Sequence, residues 1–233
     1  MAKIYAHRGY SGKFFENSSE AFKKCLDLDI FGIETDVQLT KDGVPVIIHD
    51  EYLKRLLNKE AFVKDLTLDE LKSLKYENGE SPITLDEYIE IFKDSKLVSN
   101  IELKTGVFLY QGIEKKVYDA FKKNDMLDRL LVSSFNHYSL LKMKEIDPEV
   151  PLGALTGSTL ISPEKYLKQY GFQFYHPVFS SVNKKMLEDL HKNNIRVNAW
   201  TINYKEVYDT SIQIGLDGVI TNYPELDFPN LGY

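Results

Sequence analysis

Short β-like runs alternate with amphipathic, helix-like stretches along the whole 233-residue chain. In a strand, side chains alternate between two faces, whereas a helix repeats its apolar positions with a period of about 3.6 residues. The alternation of β-like and helix-like segments predicts parallel strands that are joined by helical crossovers. Counting the second strand and its hairpin arm as one unit, the predicted strand units are 3–9, 32–50, 97–105, 129–135, 150–156, 173–180, 195–203 and 217–224.

Eight such units in a chain of this length predict an α/β fold of the (β/α)8 TIM-barrel type. A doubly wound open sheet is the structural alternative, although it would give fewer strands at this length. No linker or low-complexity tract interrupts residues 1–233, so we expect a single domain. Residues 51–84 are irregular and rich in charge, and they predict a small insertion after the second strand unit.

The composition limits which partners the chain can have. A formal net charge of −6 argues against nucleic acid, because duplex binding needs a basic surface. Cys25 is the single cysteine, which excludes an intrachain disulfide and a cysteine-zinc site. No run approaches the ~18 apolar residues of a membrane-spanning helix. The N-terminus lacks the long apolar region of a secretory signal, so we expect a cytoplasmic protein without stable membrane insertion. The oligomeric state stays open.

Ionisable residues are concentrated in the first three strand units, near the ends where barrel active sites lie. Glu34 and Asp36 are two residues apart in one strand and therefore point to the same face. Asp42-Gly43 is typical of a hairpin turn that would return His49 to their side. The other strand ends carry mainly hydroxyl, amide or aromatic groups. The residues at the first three units are His7, Arg8, Glu34, Asp36, His49, Glu102 and Lys104.

Three carboxylates from neighbouring strands indicate a hard divalent cation. Oxygen ligands suit Ca²⁺ or Mg²⁺, and no additional cysteine is present to favour a softer metal. The alternative is that Glu34 and Asp36 form a structural salt-bridge network with Arg8 and Lys104.

His7 and His49 end strands close to these carboxylates. Two histidines beside a metal site suit an acid/base pair, although a histidine at a strand end can also be inert. Arg8 and Lys104 add donors for an anion, for which phosphate is the natural candidate. Together these residues indicate metal-assisted phosphoryl transfer.

Seven stretches, taken in this order and spacing, resemble the glycerophosphodiester phosphodiesterases across essentially the whole chain. They are "AHRG" at 6–9, "ENS" at 16–18, "GIETDVQLTKDGVPVIIHD" at 32–50, "NIELK" at 100–104, "VSSF" at 132–135, "AWTIN" at 199–203 and "DGVITNYP" at 217–224. The chain departs from the family pattern at Phe15, where proline is usual, at Ser18, where threonine is usual, and at "RLLN" (55–58). These departures affect the geometry of loops and leave the proposed catalytic set intact.

The resemblance implies a (β/α)8 barrel with an insertion, and hydrolysis of a small-molecule glycerophosphodiester to sn-glycerol 3-phosphate and an alcohol. A glycerol hydroxyl could serve as the internal nucleophile through a cyclic phosphate. The implied roles are acid/base catalysis by His7 and His49, binding of one Ca²⁺ or Mg²⁺ by Glu34, Asp36 and Glu102, phosphate binding by Arg8 and Lys104, support of the site by Glu16 and Asn17, and a pocket wall from Trp200.

Two alternatives remain at the level of sequence. The first is a barrel that binds a phosphodiester without turnover. The second is an enzyme of the lysophospholipase D or inositol-lipid phosphodiesterase type that works at a membrane, which requires an exposed apolar rim around the barrel mouth. The stretch 51–62 is the sequence candidate for such a rim, and it is heavily charged.

Overall fold

Eight parallel strands form a closed barrel in the computed structural model, which describes residues 2–229. β1 pairs in parallel with both β2 and β10, so the sheet closes on itself. Closure confirms the TIM barrel and excludes the open doubly wound sheet. The strands in chain order are β1 (Lys3–His7), β2 (Gly32–Leu39), β3 (Pro45–Ile47), β4 (Ile83–Thr84), β5 (Val98–Leu103), β6 (Leu130–Ser134), β7 (Leu152–Thr156), β8 (Phe174–Pro177), β9 (Arg196–Ala199) and β10 (Gly218–Thr221).

Helices follow the barrel strands as the sequence periodicity predicts. Their apolar faces pack on the barrel, and polar residues such as Ser18, Thr67 and Thr84 cap their N-termini. The helices are α1 (Ser19–Lys23), α2 (Lys54–Leu57), α3 (Leu68–Lys72), α4 (Leu85–Phe92), α5 (Ile113–Lys123), α6 (His137–Ile146), α7 (Pro163–Tyr170), α8 (Lys184–His191) and α9 (Lys205–Ile214). None of the helices in residues 2–229 combines the length and apolar character that crossing a membrane requires.

Residues 18–29 carry a helix-like sequence pattern, but α1 ends at Lys23. After α1 the backbone continues in tight turns, because the Cys25 amide bonds to the carbonyl of Phe22 and the Leu26 amide to that of Lys23. Cys25 is buried at the end of this segment. The helical pattern over 24–29 therefore reflects burial of single residues in turns and not a continuous helix.

Strand register brings the ionisable residues together. His7 lies opposite Glu34 across the β1–β2 pair, and Asp36 lies opposite Glu102 across the β2–β5 pair. β2 is the longest strand, and β3 returns antiparallel to its last residues. Gly43, with φ of +77°, lies in the connecting turn, as the Asp42-Gly43 pair predicts.

The segment 51–84 attaches to β3 at the C-terminal end of the barrel. It contains α2, α3 and β4, and β4 pairs antiparallel with β3. A separate apolar cluster lies beneath the segment, formed by Val46, Ile48, Leu53, Leu56, Leu57, Val63, Leu71 and Tyr76. This small core fixes the segment beside the strand that leads to His49.

Candidate active site

A cavity of about 200 Å³ opens at the C-terminal ends of the barrel strands. One side carries ionisable groups from the first three strand units, and the other side is mostly apolar. The lining residues are His7, Arg8, Glu34, His49, Asn100, Glu102, Ser133, Phe135, Leu155, Trp200, Thr201 and Ile220. The cavity therefore contains most of the residues to which the sequence assigned a role.

Glu34, Asp36 and Glu102 form a compact, buried acidic cluster beside this cavity. One oxygen from each carboxylate lies within 4.8 Å of the other two. The second oxygen of Asp36, Oδ2, accepts a hydrogen bond from Asn17 Nδ2 at 2.9 Å. Asp36 Oδ1 is buried and has no hydrogen-bond partner among the described residues. A divalent cation fits this cluster, because it would supply the partner that this buried oxygen lacks.

The cluster is electrostatically strained in the protein without an ion. Burial and the neighbouring carboxylates of Asp36 and Glu102 raise the pKa of Glu34 well above its usual value. Burial also raises the pKa of Glu102, against the opposing effect of Lys104. Burial acts in the same direction on Asp36, but Arg8, His49 and Lys104 outweigh it and lower the pKa of Asp36 to about 2. The site therefore holds Asp36 ionised and disfavours ionising all three acids together.

His7 is held as a neutral ring with a defined tautomer. Its Nδ1 lies 2.6 Å from Asn222 Oδ1, an acceptor, so Nδ1 carries the hydrogen. The other ring nitrogen, Nε2, lies 3.8 Å from Glu34 Oε2. Burial and the Arg8 guanidinium lower the pKa of His7 to about 4. His7 Nε2 is therefore placed as a proton acceptor on the cavity side.

The partner of His49 is a carboxylate, whereas that of His7 is the side-chain amide of Asn222. Its Nδ1 lies 2.7 Å from the Asp50 carboxylate. Asp50 is fixed in turn by Arg55, whose Nε and Nη2 donate to its two oxygens at 2.7 and 2.8 Å. The Asp50 carboxylate therefore fixes the orientation of the His49 ring. The two histidines of the cavity thus differ in their environments.

The two cations predicted to bind phosphate lie on either side of the acidic cluster. Arg8 donates from Nη1 to Glu16 Oε1 at 2.8 Å, and its Nε lies 3.6 Å from Asp36 Oδ2. Lys104 Nζ lies 3.1 Å from Glu102 Oε1 and 3.9 Å from Asp36 Oδ1. These contacts form part of the salt-bridge network that the sequence offers as the alternative to a metal, because Asp36 pairs with both cations. The Glu34 carboxylate pairs with neither cation among the described residues and lies 3.8 Å from His7 Nε2 instead.

Asn17 supports the acidic cluster from the loop before α1. Its Nδ2 bonds to Asp36, and its Oδ1 accepts a hydrogen bond from Thr35 Oγ1 at 2.8 Å. Asn17 is buried and adopts a positive φ of 54°. Asparagine tolerates this conformation better than most residues. Asn17 therefore orients Asp36 and does not line the cavity itself.

Trp200 forms the apolar wall of the cavity. Its indole Nε1 donates to the His176 carbonyl at 2.9 Å, and its ring packs edge-on against Phe135 with centroids 5.5 Å apart. Phe135 is 44% exposed, so the wall continues from the cavity to the protein surface.

Several groups around the cavity received no role from the sequence, although each had a signal. Asn100 precedes Glu102 by two residues in β5 and so shares its face. Ser133 lies opposite Glu102 in the β5–β6 register. Asn100 Oδ1 and Ser133 Oγ are buried and have no hydrogen-bond partner within residues 2–229. Asp50 directly follows His49, but the link to Arg55 depends on how the 51–84 segment folds.

Known proteins that resemble this chain belong to one family. A model of the glycerophosphoryl diester phosphodiesterase family matches residues 7–226. A glycerophosphodiester phosphodiesterase of Caldanaerobacter subterraneus subsp. tengcongensis is 40% identical over 229 residues, which are 95% of this chain and 94% of that protein. One from Bacillus altitudinis is 38% identical over 235 residues, 97% of this chain and 96% of that protein.

Solved structures of phosphodiesterases resemble nearly the whole chain. A Thermotoga maritima glycerophosphodiester phosphodiesterase has a TM-score of 0.79 and 30% identity, with 97% of this chain and 96% of that chain covered. An Oleispira antarctica phosphodiesterase in complex with the product sn-glycerol-3-phosphate has a TM-score of 0.84 and 29% identity, with 97% and 94% covered. The chain belongs to the glycerophosphoryl diester phosphodiesterase family, a family of hydrolases.

Proposed function

We propose that the chain hydrolyses glycerophosphodiesters to sn-glycerol 3-phosphate and an alcohol, using one Ca²⁺ or Mg²⁺ held by Glu34, Asp36 and Glu102. The observation that carries this proposal is the buried acidic cluster, whose three oxygens lie within 4.8 Å of one another beside two histidines in one cavity. The related Oleispira antarctica structure holds sn-glycerol-3-phosphate, which supports this product.

Arg8 and Lys104 bind the phosphate in this proposal. Arg8 Nε is buried and has no hydrogen-bond partner in the described part of the chain, so it is free to donate to a phosphoryl oxygen. Lys104 is mostly buried between Glu102 and Asp36, which hold its ammonium group at the cluster. A divalent cation bound by the acidic cluster would add charge stabilisation at the phosphoryl oxygens.

The hydrogen bonds of the two histidines suggest a division of roles. His7, with its hydrogen on Nδ1, accepts at Nε2 the proton of the glycerol 2-hydroxyl as that oxygen attacks phosphorus. His49, oriented by Asp50, gives a proton to the oxygen of the departing alcohol. The first step thus breaks the P–O bond to the departing alcohol and forms a cyclic phosphate. His7 gains the proton of the 2-hydroxyl, and His49 loses a proton to the departing alcohol.

The second step reverses these roles. His49, now neutral, accepts a proton from water as the water oxygen attacks the cyclic phosphate. His7, now protonated, returns its proton to the 2-hydroxyl oxygen as that P–O bond breaks. Both histidines end in their starting states, and the product is sn-glycerol 3-phosphate.

The remaining cavity groups suit the glycerol moiety. Asn100 and Ser133 line the cavity, and their Oδ1 and Oγ atoms have no hydrogen-bond partner among the described residues, so they can exchange hydrogen bonds with glycerol hydroxyls. Trp200 and Phe135 supply an apolar wall for the carbon chain. This arrangement favours a substrate with vicinal hydroxyls over a simple dialkyl phosphate.

The test is an assay of a panel of glycerophosphodiesters after chelation and after adding back Ca²⁺, Mg²⁺ or Mn²⁺. Phosphorus NMR would identify the product. We expect no turnover after chelation, restored turnover with a divalent ion, and sn-glycerol 3-phosphate as the phosphorus product. Binding of a glycerophosphodiester without hydrolysis under every metal condition would favour the non-catalytic barrel instead.

A further inference from the structure

Exposed apolar side chains are concentrated at the catalytic end of the barrel. Within residues 2–229, all the large hydrophobic side chains that are exposed, except Leu26, lie in the segments that follow strand C-terminal ends. Scattered exposed hydrophobics are normal, but collection of nearly all of them on one face indicates an interaction surface. Six of them form the apolar rim discussed below: Val107, Leu109, Phe135, Tyr138, Ile161 and Tyr204.

Apart from Lys104, which is mostly buried at the acidic cluster, the stretches that carry this apolar rim contain no charge. They follow β5, β6, β7 and β9 and read "TGVFLYQG" (105–112), "FNHY" (135–138), "GSTLIS" (157–162) and "WTINY" (200–204), and the neighbouring loop after β8 reads "VFSSVN" (178–183). None of these five stretches contains Asp, Glu, Lys or Arg, although 27% of the chain is charged. At the opposite end of the barrel, connections such as "KDSKL" (93–97) and "NDMLDR" (124–129) carry several charges. The segments after β1 and β3 on the catalytic face are also charged, so the uncharged stretches are confined to the side of that face formed by β5 to β9.

The rim is continuous with the catalytic cavity. Phe135 is 44% exposed, lines the cavity and contacts Trp200. On the other side, Tyr52 and Phe62 of the 51–84 segment join the loop after β5 through Phe108, with Phe62 and Phe108 centroids 5.2 Å apart. A surface that docks through this rim would therefore face the opening of the cavity.

We propose that the apolar rim docks the enzyme reversibly on the surface of an electrically neutral, zwitterionic phospholipid bilayer. This inference rests on the proposed function and adds the surface at which the enzyme works. The uncharged stretches can enter the headgroup region without desolvating a charge. The chain's net charge of −6 and the lack of basic residues in these stretches disfavour an anionic surface.

The form of the side chains favours lipid over a protein partner. Ile161 is 96% exposed and Leu109 80% exposed, so each projects from its loop with little contact to the rest of the protein. Protein interfaces pack contiguous surfaces closely, whereas single projecting side chains suit insertion between lipids. Tyr138 and Tyr204 add rings with a polar tip, which favour the boundary between water and lipid. A few such residues give weak, reversible binding.

The test measures cosedimentation of the full chain with phosphatidylcholine vesicles. We expect the wild-type chain to bind these vesicles and to bind phosphatidylglycerol vesicles more weakly. The double substitution L109D/I161D places two charges in the rim and should lower partitioning by about tenfold or more. Both side chains are highly exposed, so the fold should be retained. Leu26→Asp is the matched control, because Leu26 is 41% exposed and lies at the other end of the barrel.

Hydrolysis of water-soluble glycerophosphocholine separates this proposal from the proposed function. L109D/I161D should keep that activity while it loses vesicle binding. Vesicle binding without hydrolysis by the wild type would refute the proposed function alone. The docking proposal is overturned if the wild type does not bind phosphatidylcholine vesicles, or if L26D weakens binding as much as L109D/I161D. It is also overturned if the wild type is a dimer that L109D/I161D dissociates, since the rim would then join two copies of the chain.

Discussion

Arg55 and Glu16 form a bidentate ion pair at the barrel mouth, with Nη1–Oε2 at 2.7 Å and Nη2–Oε1 at 2.9 Å. Arg55 also holds Asp50, the partner of His49. Glu16 in turn accepts a hydrogen bond from Arg8. One chain of charged hydrogen bonds therefore joins His49 to Arg8, and its central residue comes from the 51–84 segment.

Arg55→Gln should lower kcat/KM by about tenfold or more, because Asp50 would lose the guanidinium that fixes it against His49. The dependence of kcat on pH should shift, while the affinity for the divalent ion should stay unchanged. Lys54→Gln is the control, since Lys54 is a neighbouring cation that contacts only Glu60 among the described ion pairs. Equal kinetics in the two variants would show that the Arg55 network has no positioning role.

Glu102→Gln should weaken binding of Ca²⁺ or Mg²⁺ by about 100-fold or more, because the acidic cluster would lose one of its three charged oxygens. Isothermal titration calorimetry of the chelated protein would measure this change. Glu114→Gln is matched in chemistry and burial, since Glu114 is also a buried glutamate but lies on α5, outside the cluster. Equal affinities for the two variants would remove Glu102 from the ligand set.

Glu34→Gln should stabilise the ion-free protein at alkaline pH. The pKa of Glu34 is raised by burial and by Asp36 and Glu102. A carboxyl whose folded pKa is raised contributes stability below its unfolded pKa, and this contribution is lost as pH rises through the folded pKa. The pKa of Asp36 is lowered to about 2, so its contribution to folding stability has the opposite dependence on pH: it is present above the unfolded pKa and is lost as pH falls toward 2.

Urea unfolding of the ion-free wild type and Glu34→Gln at several pH values would test this expectation. The variant should exceed the wild type by about 1 kcal/mol at pH near 8 and lose that advantage toward pH near 4. With saturating metal the order should reverse, because the wild type gains stability from the bound ion. A variant less stable than the ion-free wild type at alkaline pH would contradict the strain assigned to Glu34.

Ser133→Ala should raise KM severalfold with little change in stability, since Ser133 Oγ lines the cavity and has no partner in residues 2–229. Ser134→Ala should instead lower stability and leave KM unchanged. The Ser134 hydroxyl donates to the Leu103 carbonyl at 2.8 Å, so its loss should cost about 1 kcal/mol of stability and leave KM unchanged. Steady-state kinetics and thermal unfolding of the pair measure both effects. A KM effect in Ser134→Ala alone would exclude Ser133 from substrate binding.

The barrel could be predicted from sequence because each strand and helix carries its own periodicity. The pairing of Glu34 and Asp36 on one face followed from the two-residue period of a strand, and their nearness to Glu102 followed from the adjacency of successive parallel strands. The early end of α1 could not be predicted, because residues 24–29 keep an apolar pattern while their backbone forms tight turns.

The sequence pattern could not predict contacts between residues that are far apart in the chain. Asn222 is separated from His7 by most of the chain, and their contact exists because β10 closes the barrel against β1. Arg55 reaches Glu16 and Asp50 only through the fold of an irregular segment. The apolar rim is likewise spread over four short stretches, none of which is unusual by itself.

The most direct test of the roles proposed for the two histidines compares His7→Ala and His49→Ala on two substrates, glycerophosphocholine and glycerophospho-p-nitrophenol. On glycerophosphocholine both variants should lose about 10²- to 10⁴-fold in kcat. The p-nitrophenolate group departs without a proton, so release of nitrophenol in a single turnover should be largely restored in His49→Ala and should stay low in His7→Ala. Equal losses for both variants on both substrates would contradict the division of roles between His7 as the base and His49 as the acid.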